Sequence, residues 1–388
     1  LEDGSGSVVR AGSSASIGIR RERMKITRIE ATRHRLTAKA PLLDKELSWS
    51  LIFVRVETDA GIAGYGLTGG LIQPAAICAE IAENIAPIVI GEDPLAHESL
   101  WHKCFYRLNP RYQTGAFSSA ISAVDIALWD IKGKHFGEPI WRMLGGARKT
   151  VPAYITFGLG NYDRDQLVEA ARYWVGEGHD KLKMVVGANR DAVDVVEDAT
   201  RVRLVREAVG DHVDLMIDAN YKLPFAKALE LCKRVEPYHL YYFEEPVYGN
   251  DALLLADLRR RTSIPIAAGQ NEGSKWRHRE FMVNQSVDVV QPNVCYVGGF
   301  TEAMKVAGMA QAFNLPLSNG GGWPHLNAHL MAGVDNGTRV EFHLLMWRVS
   351  NQIFKNPFQP ANGEVTLPDG PGLGLEPNDD VLRETLVV

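Results

Sequence analysis

Cysteine, long apolar runs and excess basic charge are all scarce in this sequence of 388 residues. There are four cysteines and no Cys-x-x-Cys pair, which disfavours a zinc ribbon or thioredoxin-type site and fits a reducing cytoplasm. No apolar run approaches the roughly 18 residues of a membrane-spanning helix, so no membrane partner is expected. Basic residues number 42 against 47 acidic ones, a net charge of −5, so no nucleic-acid partner is expected either.

The first 23 residues are rich in Gly, Ser and Arg and show no apolar periodicity. They lack the continuous apolar segment of a signal peptide, and we expect residues 1–23 to be a disordered extension or a tag. The whole chain is 46% hydrophobic and 23% charged, which is typical of a globular protein with a sizeable core.

Residues 24–150 predict an α+β domain. Two stretches with β-branched residues and alternating polarity, at 24–36 and 49–66, predict strands, with a turn at Asp59–Gly61. From Pro74 to about Gly145 the apolar spacing is helical. Strands followed by a run of helices are typical of an α+β unit.

Residues 151–354 show a different pattern, in which short apolar runs alternate with helical segments. Eight strand–helix units predict a parallel (β/α) barrel whose strands are covered by helices. The final segment, 355–388, is rich in Pro, Gly and Asn, and we expect it to return to the first domain. The eight runs are VPAYITF (151), DKLKMVV (180), VDLMIDAN (213), LYYFEEP (240), IPIAAGQ (264), VDVVQPN (287), LPLSNGG (315) and TRVEFHL (338).

Oxygen-bearing side chains end three consecutive strands of this barrel. Asp218 and Glu244 are 26 residues apart, and Glu244 and Gln270 are again 26 apart, which is one strand–helix unit. The active site of such barrels lies at the carboxyl ends of the strands. Carboxylate and amide oxygens favour Mg²⁺, so we predict a magnesium site there, with ordinary strand-end salt bridges as the alternative.

Two lysines precede these residues on the second strand. Lys181 and Lys183 are two apart and share one face of the strand. Mutual repulsion and burial both favour a neutral amine, which is able to remove a proton next to a carboxylate. The alternative is a pair of solvated lysines at a strand end.

Five segments together resemble the enolase superfamily, in its mandelate racemase and muconate lactonizing enzyme branch. The resemblance covers about residues 24–388. It implies a modified TIM (β/α) barrel with an α+β N-terminal capping domain, whose loops near 36–49 and 67–73 would set substrate choice. The segments are AISAVDIALWDIKGKHFGEPIWRMLGG at 120–146, KLK at 181–183, DAN at 218–220, FEEP at 243–246 and GG at 298–299.

The resemblance also implies a role for each matching residue. Asp218 and Glu244 would be Mg²⁺ ligands, Lys183 the base and Lys181 the neighbour that lowers its pKa. Asn220 would contact the substrate or the surroundings of the metal. Glu341 looks like the acid of the eighth strand that donates a hydrogen bond to the developing enediolate oxygen.

Two departures from the family pattern concern the third ligand and the second base. The third ligand is usually Glu, where this chain has Gln270; Glu272 has the same strand parity and is a possible substitute. The racemase-type His–Asp pair is missing, because the sixth strand offers Asn293 and the seventh ends in SNGGG at 318–322. Asn293 is kept as a candidate substrate contact, and His325 is the nearest replacement acid.

Other histidines leave alternatives open. His325 and His329 are four apart on a predicted helix, as a zinc pair would be, but HLNAH lacks the Glu of the metalloprotease motif. His343 shares strand parity with Glu341 and is equally readable as a ligand contact or as a buried, satisfied histidine.

These patterns favour a Mg²⁺-dependent enzyme that abstracts the α-proton of a small carboxylate. We predict a hydro-lyase that dehydrates a sugar acid, because elimination requires a base on one face only. The alternatives are an epimerase, racemase or cycloisomerase of the same superfamily, or a catalytically inactive binding homologue. A cytoplasmic location and a homo-oligomer are also expected.

Overall fold

The computed structural model describes most of the chain after the first 22 residues. The predicted extension at 1–23 therefore lies outside the described residues, apart from Arg23. The described ranges are 23–43, 46–70, 73–108, 113–160, 162–187 and 193–387.

The N-terminal domain begins with a three-stranded antiparallel sheet. Its strands are β1 (Ile26–Lys39), β2 (Glu46–Thr58) and β3 (Ala63–Gly69), in the order β1-β2-β3. The segment predicted at 49–66 is thus parts of two strands, which reverse at Gly61 with a positive φ of 74°. The central strand β2 buries its apolar positions, among them Leu51 and Val54.

Helices follow this sheet and cover one of its faces. A long helix packs so closely on β3 that a Cβ on Gly64 or Gly66 would lie 2.1 Å or 1.9 Å from a helix carbonyl oxygen, so these strand positions require glycine. The helices are α1 (Pro74–Ala79), a π-helical stretch (Glu80–Ile85), α2 (Ala86–Val89), α3 (His97–Leu108), α4 (Ala116–Phe136) and α5 (Ile140–Met143).

Eight parallel strands then close into a barrel, which confirms the predicted fold class. Each apolar run of the sequence contributes one strand, and the last strand pairs with the first to complete the barrel. The strands are β4 (Thr150–Gly158), β5 (Lys181–Val185), β6 (Asp214–Asp218), β7 (Phe243–Glu244), β8 (Ile266–Ala268), β9 (Val289–Val290), β10 (Leu317–Ser318) and β11 (Gly337–His343).

Helices surround the barrel, as the helical patterns between the runs predict. They are α6 (Arg164–Gly176), α7 (Val195–Val209), α8 (Phe225–Val235), α9 (Ala252–Arg259), α10 (Ser274–Val283), α11 (Gly299–Ala312), α12 (Pro324–Gly333) and α13 (Leu344–Ile353), with short 3₁₀ turns at Glu236–Tyr238 and Tyr248–Asn250.

The interior of the barrel is filled rather than open. A buried layer consists of Tyr154 in β4, Met216 in β6, Tyr242 just before β7, Ala267 in β8 and Val289 in β9. Such a layer makes the barrel a packed core, and the polar chemistry is confined to one end of it.

The C-terminal segment contacts both parts of the molecule. Strand β12 (Glu364–Thr366) pairs antiparallel with β4 of the barrel. Helix α14 (Asp379–Glu384) leads to Thr385, whose carbonyl accepts a hydrogen bond from the backbone of Arg35 in β1. Among the described helices, none is long and apolar enough to cross a membrane.

Asp130 of α4 connects these parts through hydrogen bonds. Its Oδ2 accepts from the backbone of Tyr65 in β3 (3.0 Å) and from Lys134 Nζ (2.6 Å). Its Oδ1 accepts from the backbone of Leu373 in the C-terminal segment (2.8 Å). The carboxylate is buried, so the two backbone donors have no water to replace it.

We therefore expect Asp130→Ala to lower the free energy of unfolding by about 3 kcal/mol, because two buried N–H groups lose their acceptor. Denaturant unfolding measures the difference. The matched control on the neighbouring turn is Glu138→Ala, which removes an exposed ion pair with Arg142 and should change stability by less than about 0.5 kcal/mol. Equal effects of the two substitutions on stability would show that Asp130 does not hold β3 and the C-terminal segment together.

Candidate active site

A buried lysine lies among three carboxylates at the carboxyl ends of the barrel strands. The side chain of Lys183 is completely buried. Its Nζ lies 2.7 Å from Glu244 Oε2, 2.8 Å from Glu341 Oε1 and 3.5 Å from Asp218 Oδ2. The structure thus brings together four of the residues that the sequence places in the site.

Strand register explains why these side chains meet. Asp218 and Glu244 end neighbouring strands and are paired in register. Lys183 lies on the adjacent strand β5, two residues before Val185, which is in register with Asp218. Alternate side chains of a strand point to the same face, so all of them project into the barrel just above its apolar layer.

The cluster carries more negative than positive charge. Burial lowers the pKa of Lys183, but Glu244, Glu341 and Asp218 together raise it well above its ordinary value. The pKa of Glu244 is raised by burial, and that of Glu245 is raised by burial and by Asp218 to about 8. The carboxylates around Lys183 therefore favour its ammonium form, a direction opposite to the lowered pKa that the sequence predicts.

Three further residues hold the carboxylates in place, and the sequence analysis did not assign them to the site. The hydroxyl of Thr156 in β4 donates to Glu341 Oε1. Gln291 donates through Nε2 to Glu244 Oε2 at 2.8 Å, and the backbone of Gly322 donates to Glu341 Oε2 at 2.6 Å. Thr156 and Gln291 both follow apolar strand residues, which is the signal that could have found them.

The oxygen donors fit a hard cation. Glu244 Oε1 is buried, and no hydrogen-bond partner for it is found in the described part of the chain. A Cβ on Gly320 would lie 3.2 Å from this oxygen and 3.0 Å from Gln270 Cβ, so glycine leaves the space above them open. No three His, Cys, Asp or Glu side chains within the described ranges form a metal cluster. The oxygen donors that could hold a cation here are the carboxylates of Asp218 and Glu244 and the amide of Gln270.

Gln270 and Glu272 have different surroundings. Gln270 donates through Nε2 to Glu245 Oε2 at 2.7 Å, at the edge of the cluster. Glu272 pairs with Arg277 Nε at 3.0 Å and accepts from Asn250 at 3.3 Å. The carboxylate of Glu272 is therefore already engaged, and its placement does not support the suggestion that it replaces Gln270.

Lys181 lies apart from the cluster, which corrects the predicted lysine pair. Its Nζ is 2.6 Å from Asp180 Oδ1, next to the start of β5, where the carboxylate is half-exposed. Lys181 is two residues before Lys183 and thus about 7 Å deeper along the strand. The predicted repulsion between the two ammonium groups has no geometric support.

His325 is also placed away from the cluster. Its Nδ1 is 2.9 Å from Ser350 Oγ, and its Nε2 is 3.0 Å from the carbonyl of Phe358. Burial lowers its pKa to about 4. Both ring nitrogens are engaged between α12, α13 and the C-terminal segment, so the placement does not support a leaving-group acid. His329 Nε2 faces the carbonyl of Leu373, which also leaves no zinc pair.

The two asparagines predicted to contact substrate have structural partners. Asn293 Oδ1 accepts from the backbone of Cys295 (2.9 Å) and from Asn327 (3.0 Å), and its Nδ2 donates to the carbonyl of Gly320 (2.8 Å). These bonds fix the glycine-rich turn. The backbone of Asn220 donates to Asp218 Oδ1 at 2.7 Å, and its side chain is half-buried at the rim.

Comparison with known families matches both parts of the chain. Residues 166–381 match the family described as enolase C-terminal domain-like. Residues 44–145 match the mandelate racemase / muconate lactonizing enzyme N-terminal domain. Together the two matches span more than half of the chain.

Characterised relatives include enzymes that act on sugar acids. Arabinonate dehydratase of Saccharolobus solfataricus is 34% identical over 341 residues, which cover 86% of this chain and 90% of that protein. D-galactarolactone cycloisomerase of Agrobacterium fabrum is 33% identical over 358 residues, covering 86% and 90%.

Solved structures with the same fold carry magnesium. A racemase from Streptomyces coelicolor with bound magnesium has a TM-score of 0.86 and 30% identity, and the match covers 93% of this chain and all of that one. L-talarate dehydratase from Polaromonas, complexed with Mg and L-glucarate, has a TM-score of 0.84 and 30% identity, covering 94% and 98%.

The placement of His325 predicts a role in stability. We expect His325→Asn to lower the free energy of unfolding by about 2 kcal/mol, because the bonds to Ser350 and Phe358 are lost or distorted. Substrate turnover by the folded variant should stay within about twofold of the unmodified chain. Denaturant unfolding and steady-state kinetics test this. A loss of activity without a loss of stability would indicate that His325 acts in catalysis.

Proposed function

The chain belongs to the mandelate racemase/muconate lactonizing enzyme branch of the enolase superfamily, and we propose that it is a hydro-lyase that dehydrates a sugar acid. The observation that carries the proposal is the position of Lys183 between Asp218 and Glu244 on one side and Glu341 on the other. This arrangement combines an amine for proton transfer with carboxylates for a cation.

Magnesium is the cofactor that this donor set favours. Asp218, Glu244 and Gln270 would hold it, since Mg²⁺ prefers oxygen ligands and is often bound through only one or two carboxylates. The ion, when bound, supplies positive charge that offsets both the negative charge developing on the substrate and the carboxylates that otherwise keep Lys183 protonated.

The proposed reaction uses Lys183 as both base and acid. The Cα–H bond breaks, its proton passes to the neutral Lys183 Nζ, and the electron pair moves into the carboxylate to give an enediolate. The returning pair breaks the bond between Cβ and its hydroxyl, which takes the proton from Lys183 and leaves as water. The resulting enol then tautomerises to the 2-keto-3-deoxy acid.

The residues around Lys183 support these steps. Glu341, held by Thr156 and the backbone of Gly322, faces Lys183 and keeps its amine at the reacting carbon. Gly320 and Asn293, whose amide is hydrogen-bonded to the carbonyl of Gly320 and the backbone of Cys295, offer no second base. Inversion at Cα needs a base on each face, so the geometry favours elimination over racemisation. Cycloisomerisation uses one face as well and remains the alternative reaction.

A catalytically inactive binding homologue is the second candidate function. The specific observation in its favour is that Lys183 Nζ lies 2.7 Å from Glu244 Oε2, so the amine already neutralises part of the charge that a metal ion would neutralise. Metal affinity separates the two candidates. A cytoplasmic location and a homo-oligomer are expected from the sequence alone.

The substrate class is tested by incubating the protein and Mg²⁺ with a panel of aldonic and aldaric acids. We expect at least one of them to yield a 2-keto-3-deoxy acid. Failure to bind Mg²⁺, together with the absence of any product from the panel, would favour the inactive homologue.

The role of Lys183 is tested against Lys181 on the same strand. We expect Lys183→Met to reduce dehydration by about 10³-fold or more, because the only amine at the reacting carbon is lost. Lys181→Met should retain activity within about threefold, because its ammonium pairs with Asp180 outside the cluster.

Circular dichroism and thermal unfolding establish that both lysine variants are folded, and product formation gives the rates. Lys183→Arg serves as a second variant in case Lys183→Met does not fold, since it keeps the charge but cannot act as a base. An active Lys183→Arg enzyme, or an equal loss in Lys181→Met, would contradict the assignment.

Metal binding is tested by calorimetric titration of the chelator-treated protein with Mg²⁺. Asp218→Asn should weaken binding by about tenfold or more, and Gln270→Glu should strengthen it by about tenfold, because the charge of the ligand set changes by one unit. Glu272→Gln is the control and should leave affinity unchanged, because Arg277 engages that carboxylate. If Glu272→Gln had the larger effect, the ion would lie elsewhere.

A further inference from the structure

Two aromatic residues meet at the mouth of the barrel, and each has one buried ring nitrogen without a hydrogen-bond partner among the described residues. Trp49 comes from β2 of the N-terminal sheet and His343 from the end of β11. Their ring centroids are 6.0 Å apart and the planes are tilted by 42°. Trp49 Nε1 and His343 Nδ1 are both buried, and neither has a hydrogen-bond partner within the part of the chain that the structure describes.

The position of this pair relates it to the acid–base cluster. His343 follows Glu341 by two residues on the same face of β11, about 7 Å further towards the carboxyl end. Charges on Glu341, Lys183 and Asp218 all act on its ring. A molecule held at the cluster therefore extends towards the Trp49–His343 pair if it is several atoms long.

Buried ring nitrogens of this kind are expected to have a hydrogen-bond partner. An unsatisfied buried donor costs roughly 1–3 kcal/mol, and buried polar groups are almost always paired with protein or with a bound molecule. Two other indoles of this chain follow the rule: Trp323 donates to Tyr296 at 2.8 Å and Trp347 to Gln359 at 2.9 Å.

Position distinguishes Trp49–His343 from a second pair of the same composition. Trp174 and His179 have ring centroids 5.8 Å apart, and their Nε1 and Nδ1 atoms are likewise unpartnered among the described residues. They precede β5, at the amino end of the strands and away from the cluster. Unpartnered ring nitrogens alone therefore do not define a site. The Trp49–His343 pair is informative because it lies beside Lys183 and Glu341.

We propose that Trp49 and His343 bind one hydroxyl group of the sugar acid, on a carbon remote from the reacting carboxylate. This inference rests on the proposed function and deepens it. The indole N–H only donates, so its partner must accept. The imidazole Nδ1 donates in one tautomer and accepts in the other, and a hydroxyl group serves either. A second carboxylate only accepts, and the surplus negative charge of the cluster repels it.

The pair also joins the two domains through the substrate. Trp49 belongs to the N-terminal sheet and His343 to the barrel, so a hydroxyl between them contacts both. Binding of a polyhydroxy acid then stabilises the contact between the domains, while an acid without this hydroxyl leaves one or both nitrogens unsatisfied.

The test uses the full-length protein with Mg²⁺ and calorimetric binding of aldonic acids, followed by the monodeoxy analogues of the acid that binds best. Trp49→Phe and His343→Phe keep a ring and remove the nitrogens. We expect each to weaken binding of the parent acid by about tenfold, the value of one buried hydrogen bond. One monodeoxy analogue should bind about tenfold more weakly to the unmodified protein and be unaffected by either substitution.

Two controls exclude a purely structural effect. Trp174→Phe removes the same indole nitrogen at the opposite end of the barrel and should change no affinity. The double variant Trp49→Phe/His343→Phe should lose less than the sum of the single losses, because both residues bind one group. Thermal unfolding should be nearly unchanged by Trp49→Phe, since no hydrogen bond within the described protein is lost.

The outcomes separate this inference from the proposed function. If the substitutions weaken binding of the parent acid but not of one monodeoxy analogue, and no acid is turned over, the hydroxyl site is supported and the dehydratase is contradicted. Turnover with equal losses for the parent acid and all deoxy analogues would contradict the hydroxyl site only. If no aldonic acid binds the unmodified protein, the hydroxyl site is overturned, and the dehydratase is overturned as well only if no aldaric acid is turned over.

Discussion

The burial of one ammonium group among carboxylates is the constraint on which the rest of this site depends. Lys183 has no access to water, and Glu244 and Glu341 hold it at 2.7 and 2.8 Å. Removing an ammonium group and a carboxylate from water costs several kcal/mol for each charge. A buried ammonium group is therefore stable only where its partners are held in fixed positions around it. The barrel provides this fixation, because each partner ends a different strand and the strands are mutually hydrogen-bonded.

The burial of Lys183 among carboxylates also explains which groups surround those carboxylates. Thr156, Gln291 and Gly322 donate to the carboxylates, and none of them adds charge. Asp218, Glu244, Glu245 and Glu341 outnumber Lys183, and full ionisation of all four acids is unfavourable in a buried site unless a further cation is bound, in agreement with the raised pKa of Glu244 and of Glu245. The proposed metal ion on Asp218 and Glu244 would relieve this excess and favour the neutral amine, which would couple cofactor binding to the chemistry of Lys183.

The sequence predicts the fold well because the signals are local and repeated. All eight barrel strands coincide with apolar runs, and Asp218 and Glu244 follow from their one-unit spacing. Alternation along a strand determines the face of a side chain but not its depth, which is why Lys181 lies with Asp180 instead of beside Lys183. Distance along the chain does not determine the rotation of α12, so His325 turns towards Ser350 and Phe358. The positions of Thr156 and Gln291 on apolar strands mark them as candidates, but their hydrogen-bond partners Glu341 and Glu244 are distant in sequence and follow only from the fold.

The central claim is that Lys183 is the sole acid–base group and acts on one face of the substrate. It is tested most directly by incubating the unmodified protein and Mg²⁺ with a sugar acid in D₂O and following, by NMR, the configuration at C2 of the recovered substrate. We predict that any deuterium enters C2 with retention of configuration while the 2-keto-3-deoxy acid accumulates. Accumulation of the C2 epimer would require a base on the opposite face and would contradict the claim.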